Sequence, residues 1–422
     1  MKATINPGEI NGSITAPPAK SVTQRVYAAS LLHNGRTTVH CAGISEDENA
    51  ALQVIRQLGA KIVSHPDHTF EITSSGIAPI SAAIDCRESG LAARLFTPIA
   101  ALCDKRIQIE GVGTLLRRPM DGFGEILPAL NVYLTGFNGL LPFTLQGPLQ
   151  PKDIRIDAGD GSQFLSGLLF AYSSAATRPV IIQVSGLKSK PYIDLTLEVL
   201  AHFGKIITHK NYREFYIDPA AFVPVGDVEM TIDGDWSSAS YWLVAGAIAG
   251  DMAVLNLRQE SKQADVAILK VLQDAGAQMT WIGSSISVKK SKLNAFEFDA
   301  TDTPDLFPAL SVLAAFCDGE SHIKGVHRLF HKESNRVESI TEMLHDFAVP
   351  FSVEDDTLYI TGVQKVQGTI IDSYHDHRIV MAAAIAALRA NGPVEISFAE
   401  SVNKSYPGFF KELMACGGGV II

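Results

Sequence analysis

The sequence predicts an α/β (α+β) protein of two similar domains. Each holds three repeated helix–strand–helix–hairpin units, with the more apolar helices buried inside the sheets, an inside-out α/β barrel. Three observations predict this. A helix-then-hairpin phrase recurs six times, roughly every 70 residues. Its copies begin Val54-Ile-Arg-Gln-Leu-Gly, Ile126-Leu-Pro-Ala-Leu-Asn, Val199-Leu-Ala-His-Phe-Gly, Val271-Leu-Gln-Asp-Ala-Gly, Met343-Leu-His-Asp-Phe-Ala and Leu413-Met-Ala-Cys-Gly-Gly. A second helix in each repeat is hydrophobic nearly all round, as in Met381-Ala-Ala-Ala-Ile-Ala-Ala-Leu, and such a helix has to be buried. Finally, 422 residues exceed what one hydrophobic core usually supports.

Taken in order, the buried helices are expected at residues 21–33, 89–103, 162–175, 237–249, 305–317 and 376–390. Gly35, Gly250, Gly319 and Gly392 follow four of them and are expected to close those helices in the left-handed conformation. A β-branched strand comes next each time, for example Val180-Ile-Ile-Gln-Val and Val394-Glu-Ile-Ser-Phe. Five units then finish in a two-armed hairpin, such as residues 60–64 with 69–73, while the sixth runs out at Ile422 with one arm. An orphaned arm is an exposed sheet edge. The strand-like residues 2–6 and 10–15 are therefore expected to complete the last unit. That gives a domain of residues 19–232 and a second of residues 1–18 plus 233–422, with the active site in the cleft between them.

Composition narrows the function. The chain is 46% hydrophobic and 19% charged, with a formal net charge of -10. An acidic balance disfavours a nucleic-acid or anionic-membrane surface, since either needs a broad basic face. Five scattered cysteines form no CxxC pair, so neither a zinc site nor a disulfide framework is expected. No apolar run reaches membrane-spanning length, and the first residues read as neither a signal nor a transit peptide. A cytoplasmic monomer acting on small molecules, with no nucleic-acid or membrane partner, is the expectation. No P-loop, dinucleotide fingerprint or HExxH motif occurs, and no cofactor or metal is expected.

The unusual residues gather at helix starts. Lys20-Ser21-Val-Thr-Gln-Arg25, Ser89-Gly90-Leu-Ala-Ala-Arg94, Gly161-Ser162-Gln163 and Asp376-His377-Arg378 open buried helices. Arg117-Arg118, Lys188-Ser189-Lys190-Pro-Tyr192, Lys332-Glu333-Ser-Asn-Arg336 and Lys404-Ser405 are read as opening outer ones. A cation at a helix N-terminus opposes the dipole, so stability alone does not select it. A bound anion reverses that argument, because charge and free N–H donors are then both matched. Repeated at equivalent points of an acidic chain, the pattern indicates a pocket for a small phosphorylated and carboxylated molecule, which arginine's planar fork suits. Asp305 and Asp235 read on their own as helix N-caps. Glu333, between Lys332 and Arg336, reads on its own as an exposed first-turn residue or as a carboxylate acidified by its neighbours. His377 reads as structural or as a proton carrier.

Together the motifs Lys20-Ser21-x-x-x-Arg25, Ser162-Gln163-Phe-Leu, Ser189-Lys-Pro-Tyr192-Ile-Asp, Gly234-Asp235-x-Ser-Ser-Ala-Ser-Tyr, Pro304-Asp305, Lys332-Glu333-x-x-Arg336, Asp376-His377-Arg378 and Lys404-Ser-Tyr-Pro span essentially the whole chain. The sequence so marked resembles the enolpyruvyl transferases, in particular those acting on shikimate 3-phosphate. The resemblance implies transfer of the enolpyruvyl group of phosphoenolpyruvate to a 5-hydroxyl, by addition and elimination through a tetrahedral intermediate. It also implies domains that close on ligand, which small-angle scattering would register. It assigns Lys20, Ser21, Arg25, Ser162, Gln163, Ser189, Tyr192, Asp305 and Lys332 to shikimate 3-phosphate. Lys20, Gly90, Arg118, Gln163, Arg336, Arg378 and Lys404 fall to phosphoenolpyruvate. Asp305 is implied as base, Glu333 or Lys20 as the proton donor to carbon, and Lys404 as a further catalytic cation.

The sequence departs from that family's pattern at several points. Asn-Ala-Gly-Thr-Ala-x-Arg-Pro appears as Glu88-Ser-Gly-Leu-Ala-Ala-Arg94-Leu95, Gly161 stands where a serine is usual, and Arg328 where asparagine is expected. Two alternatives fit the same sequence less well. A UDP-N-acetylglucosamine enolpyruvyl transferase would carry Lys-Asn in place of Lys20-Ser21 and a loop cysteine within residues 111–120. A non-catalytic anion-binding relative would keep the fold without turnover.

Overall fold

A computed structural model describes all residues, 1–422. Its strands form six four-stranded sheets of one recurring pattern. In each complete example, a leading strand pairs parallel to the strand after the buried helix, and the hairpin arms add antiparallel. Ile154–Asp157 lies beside Val180–Ser185, which pairs with Glu214–Ile217 and then Ile207–Lys210. The chain folds as two compact units, Pro18–Ile232 and Met1–Pro17 with Asp233–Ile422.

Six apolar helices make the interiors. Lys20–Leu32, Gly90–Ala100 and Gln163–Ala175 pack on one another in one unit, and Trp236–Ala249, Phe307–Ala315 and His377–Ala387 in the other. Every residue of His377–Ala387 is buried, as its all-round apolar sequence requires. The expected residues 305–317 begin instead with a 3-10 turn, Pro304–Leu306, before the α-helix starts at Phe307. Pro308 near its start costs nothing, since that N–H has no intrahelical acceptor.

The N-terminal segment divides its strands. Lys2–Asn6 inserts between Val394–Ser397 and Gly419–Ile421, filling the place of the missing hairpin arm in the sixth sheet. Ile10–Thr15 does not join that sheet. It pairs parallel with Gly250–Leu255 as the leading strand of the fourth, whose own preceding strand, Val228–Thr231, pairs with Gly35–His40 in the other unit's first sheet.

The expected glycine caps are also corrected. Of the four, Gly319 has a positive φ, of 104°, whereas Gly250 is extended at φ 175° and already belongs to the next strand. Gly250 is required by contact rather than by conformation: a Cβ there would lie 1.7 Å from the carbonyl oxygen of Ile10.

Candidate active site

In the unit of Pro18–Ile232 the singled-out residues lie around the starts of the three buried helices. Lys20 begins Lys20–Leu32 and pairs with Asp47 at 2.7 Å. Asp47 lies in the first turn of the outer helix Glu46–Gln57, which Ser45 and Glu48 fix through a capping box. Arg25, one turn on, is 1% exposed. Its guanidinium donates to Thr196 Oγ1 at 2.9 Å and to the carbonyls of Ser21 and Tyr192 at 2.8 and 3.3 Å, and it lies over the Tyr192 ring. No carboxylate is among these contacts, and burial lowers its pKa to about 10.

The second and third helices meet closely for a traceable reason. Pro98, inside Gly90–Ala100, has no N–H to give the carbonyl of Arg94. Gly167 packs against that point; a Cβ on it would stand 2.8 Å from the carbonyl oxygens of Arg94 and Leu95. The approach lets Arg94 donate to Gln163 Oε1 at 3.1 Å and to the Pro119 carbonyl at 2.9 Å. Gly90 leaves room for two guanidinia, since a Cβ there would lie 2.6 Å from Arg118 Nη1 and 3.0 Å from Arg94 Nη1.

Arg118 does not open an outer helix as expected. It follows the 3-10 turn Gly113–Arg117, and the next helix starts at Gly122. Glu88 holds that turn, accepting from Thr114 N at 2.8 Å. Ser162 precedes the third helix, 2% exposed and giving no side-chain cap. Ser189 adopts left-handed φ 56°, ψ 48° before Lys190–His202, a strained conformation of the kind concentrated at binding sites. Gly161 has φ 141°, which a serine would rarely adopt, so the loop itself accounts for the glycine.

The other unit gathers Asp305, Lys332, Glu333, Arg336, Asp376 and Arg378 into one charge network. Asp305 is not a cap. It accepts from Arg336 at 2.8 Å, Arg378 at 3.1 Å and Lys332 at 3.2 Å. Arg336 also binds Glu333, and reaches Asp376 at 2.8 Å. Asp376 itself caps His377–Ala387 by accepting from Arg378 N at 2.9 Å, while Asp235 caps Trp236–Ala249 as expected. The network has a sealed side and an open one. Arg336 and Asp376 side chains are 0% exposed, whereas Asp305, Glu333 and Lys332 keep 22%, 18% and 23%. Arg336 is thus fully engaged by three carboxylates. His377 is 1% exposed, with Nδ1 3.7 Å from Asp376.

Electrostatics follow from this packing. Burial alone would raise the Asp305 carboxyl, but Arg378, Lys332 and Arg336 together outweigh it and hold it well below the usual carboxylate range. Burial lowers Lys332, with Asp305 opposing. Lys404 ends the 3-10 turn Ala399–Lys404 rather than opening an outer helix, is 6% exposed, and donates to the His375 carbonyl at 3.0 Å. Tyr374 and His375 both have positive φ, so a strained turn delivers Asp376 and Arg378 to the network. Asp47 and the splint made by Glu88 lie outside the expected site, and Arg94, part of an expected helix-start motif, is given no role in it. Asp47 gave no signal beyond an acidic first turn.

Two sets of clustered cations, one centred on an ionised carboxylate beside a second carboxylate, on a six-unit inside-out scaffold, define the class of the enolpyruvyl transferases. Comparison supports the class at the level of fold: an enolpyruvyl transferase NikO from Streptomyces tendae aligns over 100% of this chain and 98% of its own at TM-score 0.79 with 16% identity. More specifically, the family model described as EPSP synthase (3-phosphoshikimate 1-carboxyvinyltransferase) matches residues 5–413, and this chain belongs to that family. Relatives named 3-phosphoshikimate 1-carboxyvinyltransferase include one from Thermococcus kodakarensis, 36% identical over 96% of this chain and 97% of its own. Another, from Clostridium kluyveri, is 32% identical over 99% and 97%. The structure of an EPSP synthase from Acinetobacter baumannii aligns over 100% of both chains at TM-score 0.83 and 26% identity.

Proposed function

We propose that this chain transfers the enolpyruvyl group of phosphoenolpyruvate to the 5-hydroxyl of shikimate 3-phosphate, releasing phosphate in aromatic amino-acid biosynthesis. The observation that carries the reading is Asp305, partly exposed and held ionised by three cations, with Glu333 on the same arginine. Asp305 takes the proton of the 5-hydroxyl as its oxygen bonds to the enol carbon C2. Glu333 or Lys20 protonates the methylene carbon, giving the tetrahedral phosphate. Return of a proton from that methyl group to the residue that gave it then re-forms the double bond as the C2–O bond to phosphate breaks and phosphate leaves. The chemistry asks for acid, base and anion clamps.

In the free protein Asp305 is a weak base, because its cations favour the charged form. Anionic substrates at Lys332 and Arg378 would draw those cations away and raise its basicity where the proton has to be taken. Ser21, Arg25, Ser162, Ser189, Tyr192, Lys332 and Asp305 are assigned to shikimate 3-phosphate, with Lys20 and Gln163 shared between the substrates. Gly90, Arg118, Arg336, Arg378 and Lys404 are assigned to phosphoenolpyruvate. Arg336 reaches that ligand by exchanging one of its three carboxylates. We also assign the chain to the cytoplasm and to a monomeric state; no helix is long and apolar enough to cross a membrane. Purified protein should release phosphate from the two substrates together and from neither alone. A well-folded protein that releases none under any substrate ratio rules the assignment out.

Glu88 gives a second expectation. Its carboxylate pins the turn that precedes Arg118, so Glu88→Ala should raise the KM for phosphoenolpyruvate by about 3–10-fold, the worth of about one hydrogen bond. Glu88→Gln keeps an acceptor and should lie near wild type. Equal KM in all three proteins would show that the turn holds itself.

A further inference from the structure

Asp265 takes no part in the roles assigned so far. It lies in the 3-10 turn Ala264–Ala267 and is 1% exposed. Gln263 ties that turn to the start of Trp236–Ala249, accepting from Trp236 N and donating to the Gly234 carbonyl, both at 2.9 Å. This sets Asp265 Oδ2 to accept from the Ser237 hydroxyl, while Oδ1 is buried with no hydrogen-bond partner. Asp305 and Asp376 are bound by arginine; Asp265 meets a neutral hydroxyl. A carboxylate ion so placed loses its water without gaining a direct ion pair, so the neutral acid is favoured.

The charged groups that act on Asp265 are Asp305 and Asp235, which disfavour its ionisation, and Arg378, which favours it. Burial first, and Asp305 after it, push the carboxyl up to about 7, with Arg378 and the Ser237 hydroxyl pulling the other way.

We propose that Asp265 is a proton-holding residue that sets anion affinity at Arg378: neutral, it permits tight binding of phosphoenolpyruvate, and ionised, it weakens it. The proposal rests on the reading that Arg378 holds that substrate. The linkage has a definite sign. An anion on Arg378 offsets the cation that favours Asp265 ionisation, so the complex holds the proton more tightly than the free protein does. By reciprocity, the protonated form binds the anion more tightly. The KM for phosphoenolpyruvate should therefore rise with pH through about 7. This is a positioning role, exerted through Arg378 rather than on the reacting atoms.

Two measurements test it. In free wild-type protein, infrared difference spectra between pH 6 and pH 9 should show loss of one protonated-carboxyl stretch with a midpoint near 7, absent from Asp265→Asn. At saturating shikimate 3-phosphate, the wild-type KM for phosphoenolpyruvate should rise on the order of tenfold over that range, a shift of about one pKa unit on binding. Asp265→Asn should lack that rise. The substrate's own phosphate, which titrates near pH 6, is common to both proteins and cancels in their ratio. Ser237→Ala, which removes the one donor, should move the infrared midpoint upward and carries the test if Asp265→Asn does not fold. A missing protonated-carboxyl band at pH 6, or parallel KM profiles in wild type and Asp265→Asn, overturns the proposal. A wild type that forms no enolpyruvyl product fails the reading of the site instead, and the infrared titration then decides the Asp265 proton by itself.

Discussion

Asp305→Asn is expected to slow phosphate release from shikimate 3-phosphate and phosphoenolpyruvate by about 10²–10⁴-fold, the usual worth of a placed general base. The amide keeps the shape of the side chain and one acceptor oxygen but cannot take the 5-hydroxyl proton. Its second effect is electrostatic. Lys332, Arg336 and Arg378 lose the carboxylate they share, so the network becomes one charge more positive. Binding of anionic phosphoenolpyruvate should therefore hold or tighten while kcat collapses, a split that general unfolding would not produce. The wild-type pH profile carries the same signature. Asp305 is held well below the usual carboxylate range, so the acid limb of kcat/KM should receive no contribution from it at pH 5. Steady-state phosphate release, with a thermal melt beside it, makes the comparison. Turnover within tenfold of wild type in Asp305→Asn would remove Asp305 from the base's role.

The scaffold was legible because its signals are periodic. Helices apolar on every face, a phrase repeated six times and an orphaned last arm each state a burial requirement that folding has to meet. Pairing choices carry no such local mark. Lys2–Asn6 and Ile10–Thr15 read alike as short strands, yet they enter different sheets, because each sheet lacked a different member. The glycines misled for a related reason: Gly250 answers to the backbone of Ile10, some 240 residues away, and not to the helix it follows. The site shows the same division. Motif residues such as Lys20, Asp305, Arg336 and Arg378 stood out one by one, but the pairings among them did not. Asp305 in isolation is a good N-cap, and nothing local announces three cations converging from distant segments. Asp47 and Asp265 are single acidic residues in unremarkable turns. Only the fold brings Asp47 to Lys20, or seats Asp265 on a neutral hydroxyl.

The buried half of the charge network should be the more fragile one. Asp376→Ala is expected to destabilise the unit of Met1–Pro17 with Asp233–Ile422 by roughly 3–5 kcal/mol, the usual cost of removing one partner of a buried ion pair. Asp376 and Arg336 are both 0% exposed, so water cannot replace the lost carboxylate. The same substitution deletes the N-cap of His377–Ala387 and the acceptor for the Ser334 hydroxyl at 3.1 Å. Asp376→Asn retains a good cap and should cost less, which separates the charge from the hydrogen bonds. Adding Arg336→Met to Asp376→Ala should recover part of the loss, since the stranded cation goes with its partner. Urea unfolding of the three variants reads these differences, and ionic strength should change them little because the pair is sealed from solvent. A cost below about 1 kcal/mol for Asp376→Ala would mean that Glu333 and Asp305 already satisfy Arg336. The depressed Asp305 carboxyl adds a pH signature to the same experiment. Its contribution to stability is complete above its unfolded pKa of about 4 and is lost as pH falls below that toward its folded value. Wild type should therefore lose stability on acidification below about pH 4. Asp305→Asn, lacking the titrating group, should lose correspondingly less over that interval.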